Sequence, residues 1–246
     1  MKDLILMIDT ETANTNSKNM LDALVYDCGI AVIDRQGTIY YELSMVNREI
    51  FFDEPALMKS AYYAQKLPQY FEELEKGIRT LCSTYEMKQI ISETITKYNI
   101  KHVCAHNARF DIRALNNTQR WITKSKYRYF FPYGVEIWDT MRMAIDTICK
   151  QPTYKKWCAA NGYMTKNNQV RKTAEILYRY ITKDNEFVEC HTGLEDVRIE
   201  AAILAHCFKQ KKKNEKNSLR KPLTKARNHD IITSSKGRKT LQTRKD

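Results

Sequence analysis

The segment LILMIDTET at residues 4–12 is followed by two further stretches of strand-forming residues, VYDCGIAVI at 25–33 and TIYYELSMV at 38–46. The apolar part of the first segment, residues 4–8, is short and continuous, as is typical of a strand buried on both faces of a sheet. Residues 34–37, DRQG, predict a tight turn because glycine tolerates backbone angles that other residues avoid. The sequence therefore predicts a three-stranded antiparallel meander.

The rest of the body alternates between helical and strand-like patterns. Residues 54–99 favour amphipathic helices with charged outer faces. Short strands are predicted at 101–105 and 135–138, and a last helix is predicted to follow His191. We therefore expect one α/β domain over residues 1–208, with a mixed sheet flanked by helices.

The net charge of +12 is concentrated at the C-terminus. Residues 209–246 contain 14 Lys and Arg against 3 Asp and Glu, whereas residues 1–208 contain 27 and 26. Polar and basic residues dominate the C-terminal segment, and this composition predicts a disordered basic tail. A local excess of cations indicates a polyanionic partner, either a nucleic acid or a membrane surface.

Composition also excludes several classes of protein. No apolar run approaches the roughly 18 residues that span a bilayer, and the run before Asp9 is too short for a signal peptide. The seven cysteines are odd in number and form no CxxC pair, which argues against a disulfide framework and against the usual zinc sites. We expect a cytoplasmic protein with free thiols and no membrane partner.

Acidic residues lie at the end of one predicted strand and shortly after another. Asp9 and Glu11 are two residues apart, so they point to the same face of a strand. Such a pair is most easily explained by a bound cation, although a single DxE tripeptide is common and also fits a strand that ends in solvent. The second motif is HNARFD at 106–111, which places Asp111 in the first turn of a helix, where the helix dipole favours a carboxylate.

A third motif, HTGLED at 191–196, lies at the start of the last predicted helix. Thr192 and Glu195 have the spacing of a capping box, which predicts that the helix begins at Thr192. Asp196 then falls in or just past its first turn, and His191 precedes the helix. Taken alone, each motif also fits ordinary helix-start or surface chemistry.

In this order, the three motifs resemble the exonuclease motifs of the DEDD superfamily in its histidine subclass. Members of this DnaQ-like group include the proofreading subunit of bacterial replicative polymerase and ribonuclease T. The resemblance covers residues 4 to about 207, and it includes the meander and the WDT step at 138–140. It implies a ribonuclease-H-like exonuclease fold.

The resemblance also implies a mechanism. The carboxylates of Asp9, Glu11, Asp111 and Asp196 would hold two Mg²⁺ or Mn²⁺ ions, which favour oxygen ligands. His191 would be the general base on the attacking water, because an imidazole can accept a proton at neutral pH. The expected reaction is hydrolysis from a free 3′ end to release nucleoside 5′-monophosphates.

Four residues beside the motifs are predicted to bind substrate: Thr10, Thr12, Asn107 and Phe110. Many relatives continue the first motif with Thr-Gly, whereas residues 12–15 here read TANT. Contacts with the terminal nucleotide are therefore expected to differ. Phe110 could stack on a base, but packing beneath its helix is the simpler role.

Several alternatives stay open at this point. DNA is the favoured substrate, and trimming of RNA 3′ ends is the alternative within the enzyme class. A polymerase or another replication protein is a further potential partner. In the alternative from another class, the chain binds nucleic acid through its basic tail without catalysis. A zinc site at Cys190-His191 and His206-Cys207 is disfavoured because adjacent residues rarely bind one ion.

Overall fold

A mixed six-stranded sheet forms the centre of the protein in the computed structural model, which describes residues 3–14, 22–61, 63–127 and 129–220. The strands are β1 (Ile5–Asn14), β2 (Ala23–Ile33), β3 (Ile39–Asn47), β4 (Thr80–Cys82), β5 (His102–Ala105) and β6 (Glu136–Asp139). Their order across the sheet is β4-β3-β2-β1-β5-β6.

The predicted meander is confirmed. Strand β2 pairs antiparallel with both β1 and β3, while β5 pairs parallel with β1 and β6, and β4 pairs parallel with β3. The turn between β2 and β3 depends on Gly37, whose φ is +86° and whose N–H donates to the carbonyl of Asp34 at 3.0 Å. Most L-residues avoid that φ, so glycine is the natural choice at this position.

Nine α-helices in the described part of the chain surround the sheet. They are α1 (Arg48–Phe51), α2 (Pro55–Ser60), α3 (Leu67–Glu75), α4 (Thr84–Lys97), α5 (Arg109–Thr123), α6 (Thr140–Ala144), α7 (Pro152–Ala160), α8 (Ala174–Thr182) and α9 (Gly193–Arg220). A 3₁₀ turn at Ala64–Lys66 precedes α3, and a π-helical turn at Ile145–Cys149 follows α6. The predicted class, a mixed α/β domain, is confirmed.

Side chains of β1 alternate between the two faces of the sheet. Ile5 and Met7 pack in a buried cluster with Val197 of α9. Leu6 and Ile8 belong to a different cluster, which includes apolar residues of α4 and α5. Because residues two apart share a face, this alternation directs Asp9 and Glu11 towards α9 and Thr10 towards α5.

Helix α9 extends beyond the predicted domain boundary. It continues to Arg220, so the boundary between residues 208 and 209 falls inside a helix. The Lys, Gln and Glu residues just past the boundary have high helix propensity, which explains the extension. The remainder of the predicted tail, 221–246, lies outside the described residues. Among those described, no helix is both long enough and apolar enough to cross a membrane.

The cysteines are free thiols, as expected. Six of the seven are buried, and Cys190 is exposed. Cys207 packs in a cluster formed by α6, α7, α8 and α9 together with the π-helical turn. Because Cys190 is exposed and Cys207 is enclosed by apolar side chains, their surroundings do not resemble a shared zinc site.

Candidate active site

The first two candidate carboxylates lie within β1. The sequence places the DTE step at 9–11 at the end of the first strand, and β1 continues three residues past it to Asn14, paired with β2 along its whole length. Asp9 lies opposite Gly29, and the register shifts between Glu11 and Thr12. A shift of this kind locally re-aims side chains and is common beside active sites.

Asp111 occupies the first turn of α5, as predicted, and is held against the edge of β1. Its Oδ1 accepts hydrogen bonds from the N–H of Thr10 at 3.2 Å and from the hydroxyl of Thr10 at 2.8 Å. Burial raises the pKa of Asp111 to about 7, although these hydrogen bonds lower it. Thr10 was predicted to bind substrate, and in the structure both its N–H and its hydroxyl position Asp111.

The start of α9 brings the third motif onto the sheet. The hydroxyl of Thr192 donates to the carboxylate of Glu195, and the N–H of Asp196 donates to the carbonyl of Thr192 at 3.0 Å. Helix α9 therefore begins directly after Thr192, as the capping pattern predicts. Asp196 lies in the first turn and is buried.

Three of the predicted residues meet at one point. Ligand atoms of Glu11, His191 and Asp196 all lie within 4.8 Å of one another. Oδ1 of Asp196 is buried and has no hydrogen-bond partner among the described residues. A buried carboxylate oxygen of this kind carries a large desolvation cost unless a cation or a donor satisfies it.

The carboxylate of Asp9 lies close enough to Asp111, Glu11 and Asp196 for their charges to interact. Burial raises the pKa of Asp9 well above its ordinary value, and the carboxylates of Glu200, Asp111, Glu11 and Asp196 raise it further. Burial, followed by repulsion from Asp196, raises the pKa of Glu11 to about 9. The structure thus brings together all four carboxylates and the histidine that the sequence singled out.

Two acidic residues at this site were missed by the sequence analysis. Glu200 is buried one helical turn after Asp196, and its Oε2 accepts a hydrogen bond from the N–H of His106 at 3.0 Å. Oε2 of Glu189 lies 3.7 Å from Nδ1 of His191, and burial raises the pKa of Glu189 to about 7. The four-residue spacing from Asp196 to Glu200 places both on one face of α9, which is a signal that the sequence does contain.

A buried ionic network fixes the start of α9. Oδ2 of Asp27, on β2, accepts hydrogen bonds from the N–H of Gly193 at 2.9 Å, from Tyr70 at 2.6 Å and from Arg79 at 3.2 Å. Arg79 also contacts Glu195 of α9 at 3.4 Å. Charge-assisted hydrogen bonds in a buried setting are strong, so this network holds the start of α9 in a fixed position on the sheet.

The remaining predicted substrate residues differ in their surroundings. Thr12 follows Glu11 in β1 and is half-buried. Asn107 is exposed, has a φ of +69°, and donates its N–H to Oδ1 of Asp139 at 3.2 Å. Phe110 packs against the main hydrophobic cluster, which agrees with the simpler of its two predicted roles.

The donor set fits divalent metal ions. Carboxylate oxygens from β1, α5 and α9 converge with one imidazole, and such hard oxygen ligands suit Mg²⁺ or Mn²⁺. The unsatisfied oxygen of Asp196 and the raised pKa values of Asp9 and Glu11 indicate a site that lacks positive charge when it is metal-free. Asp9, Glu11, Asp111 and Asp196 are the residues that could hold the ions.

The metal-free protein is expected to lose stability as the pH rises from about 5 to about 9. Folded-state pKa values of about 9, 8 and 7 for Glu11, Asp196 and Asp111 exceed the ordinary carboxyl values. The folded protein therefore binds more protons than the unfolded chain in this window, so deprotonation favours unfolding. Melting temperatures in EDTA should fall as the pH rises. The rise in melting temperature on adding Mg²⁺ should become larger over the same pH range. An Mg²⁺ effect that does not change with pH would contradict this prediction.

Comparisons with known proteins connect this geometry to a fold. Neither a protein-family model nor a curated protein sequence matches the chain. Among solved structures, exonuclease I from Methylocaldum szegediense is similar with a TM-score of 0.50 and 16% identity, covering 86% of this chain. E. coli exonuclease I in complex with a dT13 oligonucleotide is similar with a TM-score of 0.52 and 12% identity, covering 89%.

The chain spans 41% of the length of the first of these structures and 44% of the second. At such low identity the similarity concerns the fold. The mixed six-stranded sheet, its meander and the flanking helices agree with the ribonuclease-H-like architecture expected from the sequence. The described part of this chain therefore has the ribonuclease-H-like exonuclease fold that is also found in exonuclease I.

Proposed function

We propose that this protein is a metal-dependent 3′–5′ exonuclease that removes nucleotides from the 3′ end of a nucleic acid strand. The observation that carries the proposal is the cluster in which ligand atoms of Glu11, His191 and Asp196 lie within 4.8 Å of one another. The carboxylates of Asp9 and Asp111 adjoin it. An acidic cluster with an adjacent imidazole, on an exonuclease-I-like fold, is well suited to phosphodiester hydrolysis.

In this proposal Asp9, Glu11, Asp111 and Asp196 would hold two Mg²⁺ or Mn²⁺ ions. When bound, these ions would polarise the scissile phosphate and neutralise the charge that develops on it. Glu200 is buried near Asp9, whose pKa its charge raises, and it holds the backbone of His106 by accepting its N–H. We therefore assign it a supporting role in the site.

His191 is proposed to accept the proton of the attacking water. Burial, and then the charge of Lys66, lower its pKa, so the ring is neutral and able to accept a proton at neutral pH. The water oxygen forms a bond to phosphorus as the bond from phosphorus to the 3′ oxygen of the remaining strand breaks. One proton of the water moves to the imidazole, and the leaving 3′ oxygen takes a proton from solvent. The products are a nucleoside 5′-monophosphate and a strand with a new 3′-hydroxyl.

We propose DNA as the preferred substrate. The E. coli exonuclease I structure contains a dT13 oligonucleotide, and Asn107, four residues before Asp111, is exposed and so available for contact with a strand. The basic segment 209–246 would add affinity by neutralising phosphates and releasing their counterions. A replication protein as a partner stays a prediction.

A single comparison tests the function. The purified protein is incubated with Mg²⁺ and labelled single-stranded DNA, duplex DNA or RNA, together with a circular single strand. The proposal predicts mononucleotides released from the 3′ end of linear DNA and an intact circle. Faster cleavage of RNA would favour the RNA-trimming alternative. Binding without cleavage of any substrate would favour the non-catalytic alternative, and cleavage of the circle would indicate an endonuclease.

Replacing His191 by alanine is expected to lower kcat by roughly 10²–10⁴, the range for loss of a positioned general base. Substrate affinity should change much less, because the carboxylates that would hold the metal ions are retained. Single-turnover hydrolysis and a binding titration measure the two effects separately.

His206→Ala is a suitable control for this variant, because His206 lies further along α9 and its Nε2 interacts with Gln210. It should retain wild-type turnover. A His191→Ala protein with kcat within about twofold of wild type would remove His191 from the mechanism.

A further inference from the structure

The ring of His191 is covered on one face by an aromatic residue from a distant segment. Tyr63, which lies just before the 3₁₀ turn at Ala64–Lys66, stacks on His191 with ring centroids 4.5 Å apart and an angle of 14° between the planes. Lys66, at the end of that turn, donates from Nζ to the carbonyl of His191 at 3.4 Å. One short segment therefore contacts both the side chain and the backbone of the histidine.

These contacts hold a backbone conformation that histidine rarely adopts. The φ of His191 is +52°, in the left-handed region, and a non-glycine residue stays there only when its surroundings fix it. Lys66 binds the carbonyl of His191, and Tyr63 stacks on its ring. The backbone and the side chain of the residue are thus both held.

The residues that follow this segment also contact the first residue of α9, Gly193, through Asp27. Tyr70, in α3, donates to Asp27, which accepts the N–H of Gly193. The stretch from Tyr63 to Tyr70 therefore contacts His191 directly, and it contacts Gly193 indirectly through Asp27. A movement of this stretch would be transmitted to the position of the imidazole.

We propose that Tyr63 and Lys66 are positioning residues that set the orientation of the His191 imidazole for proton transfer. This proposal rests on the proposed function, in which His191 accepts the proton. A stacked ring cannot swing out of its plane without losing the contact, whereas its two nitrogens lie in that plane and stay accessible. Stacking therefore restricts rotation of the imidazole and leaves its nitrogens able to face the cluster formed with Glu11 and Asp196.

The stacking can be tested without any activity measurement. The ring protons of His191 in the metal-free protein should be shifted upfield in NMR spectra by the ring current of Tyr63. Tyr63→Phe keeps an aromatic ring and should retain most of the shift, whereas Tyr63→Leu should lose it. Equal His191 shifts in the wild-type and Tyr63→Leu proteins would overturn the proposal, whether or not the protein is a nuclease.

Kinetics test the consequence for catalysis. Tyr63→Leu is expected to lower kcat by about 10- to 100-fold, the scale of effect for a misplaced catalytic group, with a much smaller change in KM. Tyr63→Phe should recover most of the rate, and Lys66→Met should lower kcat in the same direction. Tyr85→Leu is the matched control, because Tyr85 is an exposed residue of α4.

A double-mutant cycle separates positioning from a direct effect on substrate. In a His191→Ala background, Tyr63→Leu should cause no further loss of rate, because the group that it positions is absent. A full additional loss in that background, or a loss expressed in KM alone, would overturn the proposal. If the wild-type protein hydrolyses no nucleic acid, the proposed function fails, and the NMR result still shows whether Tyr63 holds the ring.

Discussion

Replacing Asp9 by asparagine is expected to abolish Mg²⁺-dependent hydrolysis and, in the metal-free protein, to raise the melting temperature. Asp9 is surrounded by carboxylates, and repulsion from Glu200, Asp111, Glu11 and Asp196 adds to the effect of burial in raising its pKa. An amide of the same shape removes this repulsion. Gains of about 1 kcal/mol are common when a functional site is relieved in this way.

Loss of hydrolysis and the higher melting temperature both follow from removing the Asp9 carboxylate, so they should appear together. With Asp9 as a metal ligand, the Asn variant should also lose most of the stabilisation that Mg²⁺ gives to the wild-type protein, because that stabilisation follows from binding to the folded state. Melting curves with and without Mg²⁺, together with single-turnover hydrolysis, measure all three quantities. Asp146→Asn is the matched control, since Asp146 is exposed and pairs with Lys150 outside the cluster.

Wild-type turnover in purified Asp9→Asn would show that the metal site is wrongly assigned. A loss of activity accompanied by lower stability in EDTA would be a different result. It would mean that the carboxylate of Asp9 makes a favourable contact in the metal-free protein, and the electrostatic account of the cluster would then be wrong.

The positions of the candidate residues could be predicted from the sequence because each motif combines a residue type with a local structural signal. Asp111 was placed in a first helical turn, and the capping pattern of Thr192 and Glu195 located the start of α9 within one residue. Such signals act over three or four residues. The folded protein keeps these helix starts, because its tertiary structure leaves the local hydrogen bonds to the backbone groups at the helix ends in place.

The residues that hold His191 and the start of α9 in place could not be predicted from such local signals. Asp27 interrupts an otherwise apolar segment, and its partners Tyr70 and Arg79 are 43 and 52 residues away in sequence. Tyr63 is also far in sequence from the motif that contains His191. Contacts between such positions depend on the topology of the whole sheet, and local propensity contains no information about them.

The lengths of the strands were missed for a related reason. The apolar run that predicts β1 stops at Ile8, so the sequence places Asp9 and Glu11 at the end of the strand. In the structure these residues stay in the strand, since pairing with β2 satisfies their backbone groups up to Asn14. The three-residue β4 was also missed, because so short a segment carries no detectable periodicity.

Replacing Gly29 by alanine is expected to destabilise the protein more than any substitution within the acidic cluster. A Cβ at this position would lie 2.2 Å from the carbonyl carbon of Gly193 and 2.3 Å from the nitrogen of Leu194. These are backbone atoms at the start of α9, so no side-chain rotation can relieve the overlap. We expect a cost of about 3 kcal/mol, at the upper end of the range for overpacking. Urea denaturation followed by circular dichroism measures it.

Activity should fall as well, because a displaced α9 carries Asp196 and His191 away from β1, where Asp9 lies directly opposite Gly29. Gly193→Ala gives a second test from the other side of the contact, since its Cβ would lie 2.6 Å from the nitrogen of Gly29. Alanine has a higher helix propensity than glycine by about 1 kcal/mol. A net loss of stability in Gly193→Ala would therefore show that the overlap of the new Cβ with Gly29 costs more than this gain in propensity.

Gly77→Ala serves as the control for both variants. Gly77 has a φ of +68°, and no atom lies within 4 Å of the position that a Cβ would occupy there, so only backbone strain of about 1–2 kcal/mol is expected. Losses in Gly29→Ala no larger than in Gly77→Ala, with wild-type hydrolysis, would mean that α9 does not approach β2 closely enough for a Cβ to matter. A larger loss in Gly29→Ala and Gly193→Ala, joined to a fall in kcat, would show that this glycine contact sets the distance between the two halves of the acidic cluster.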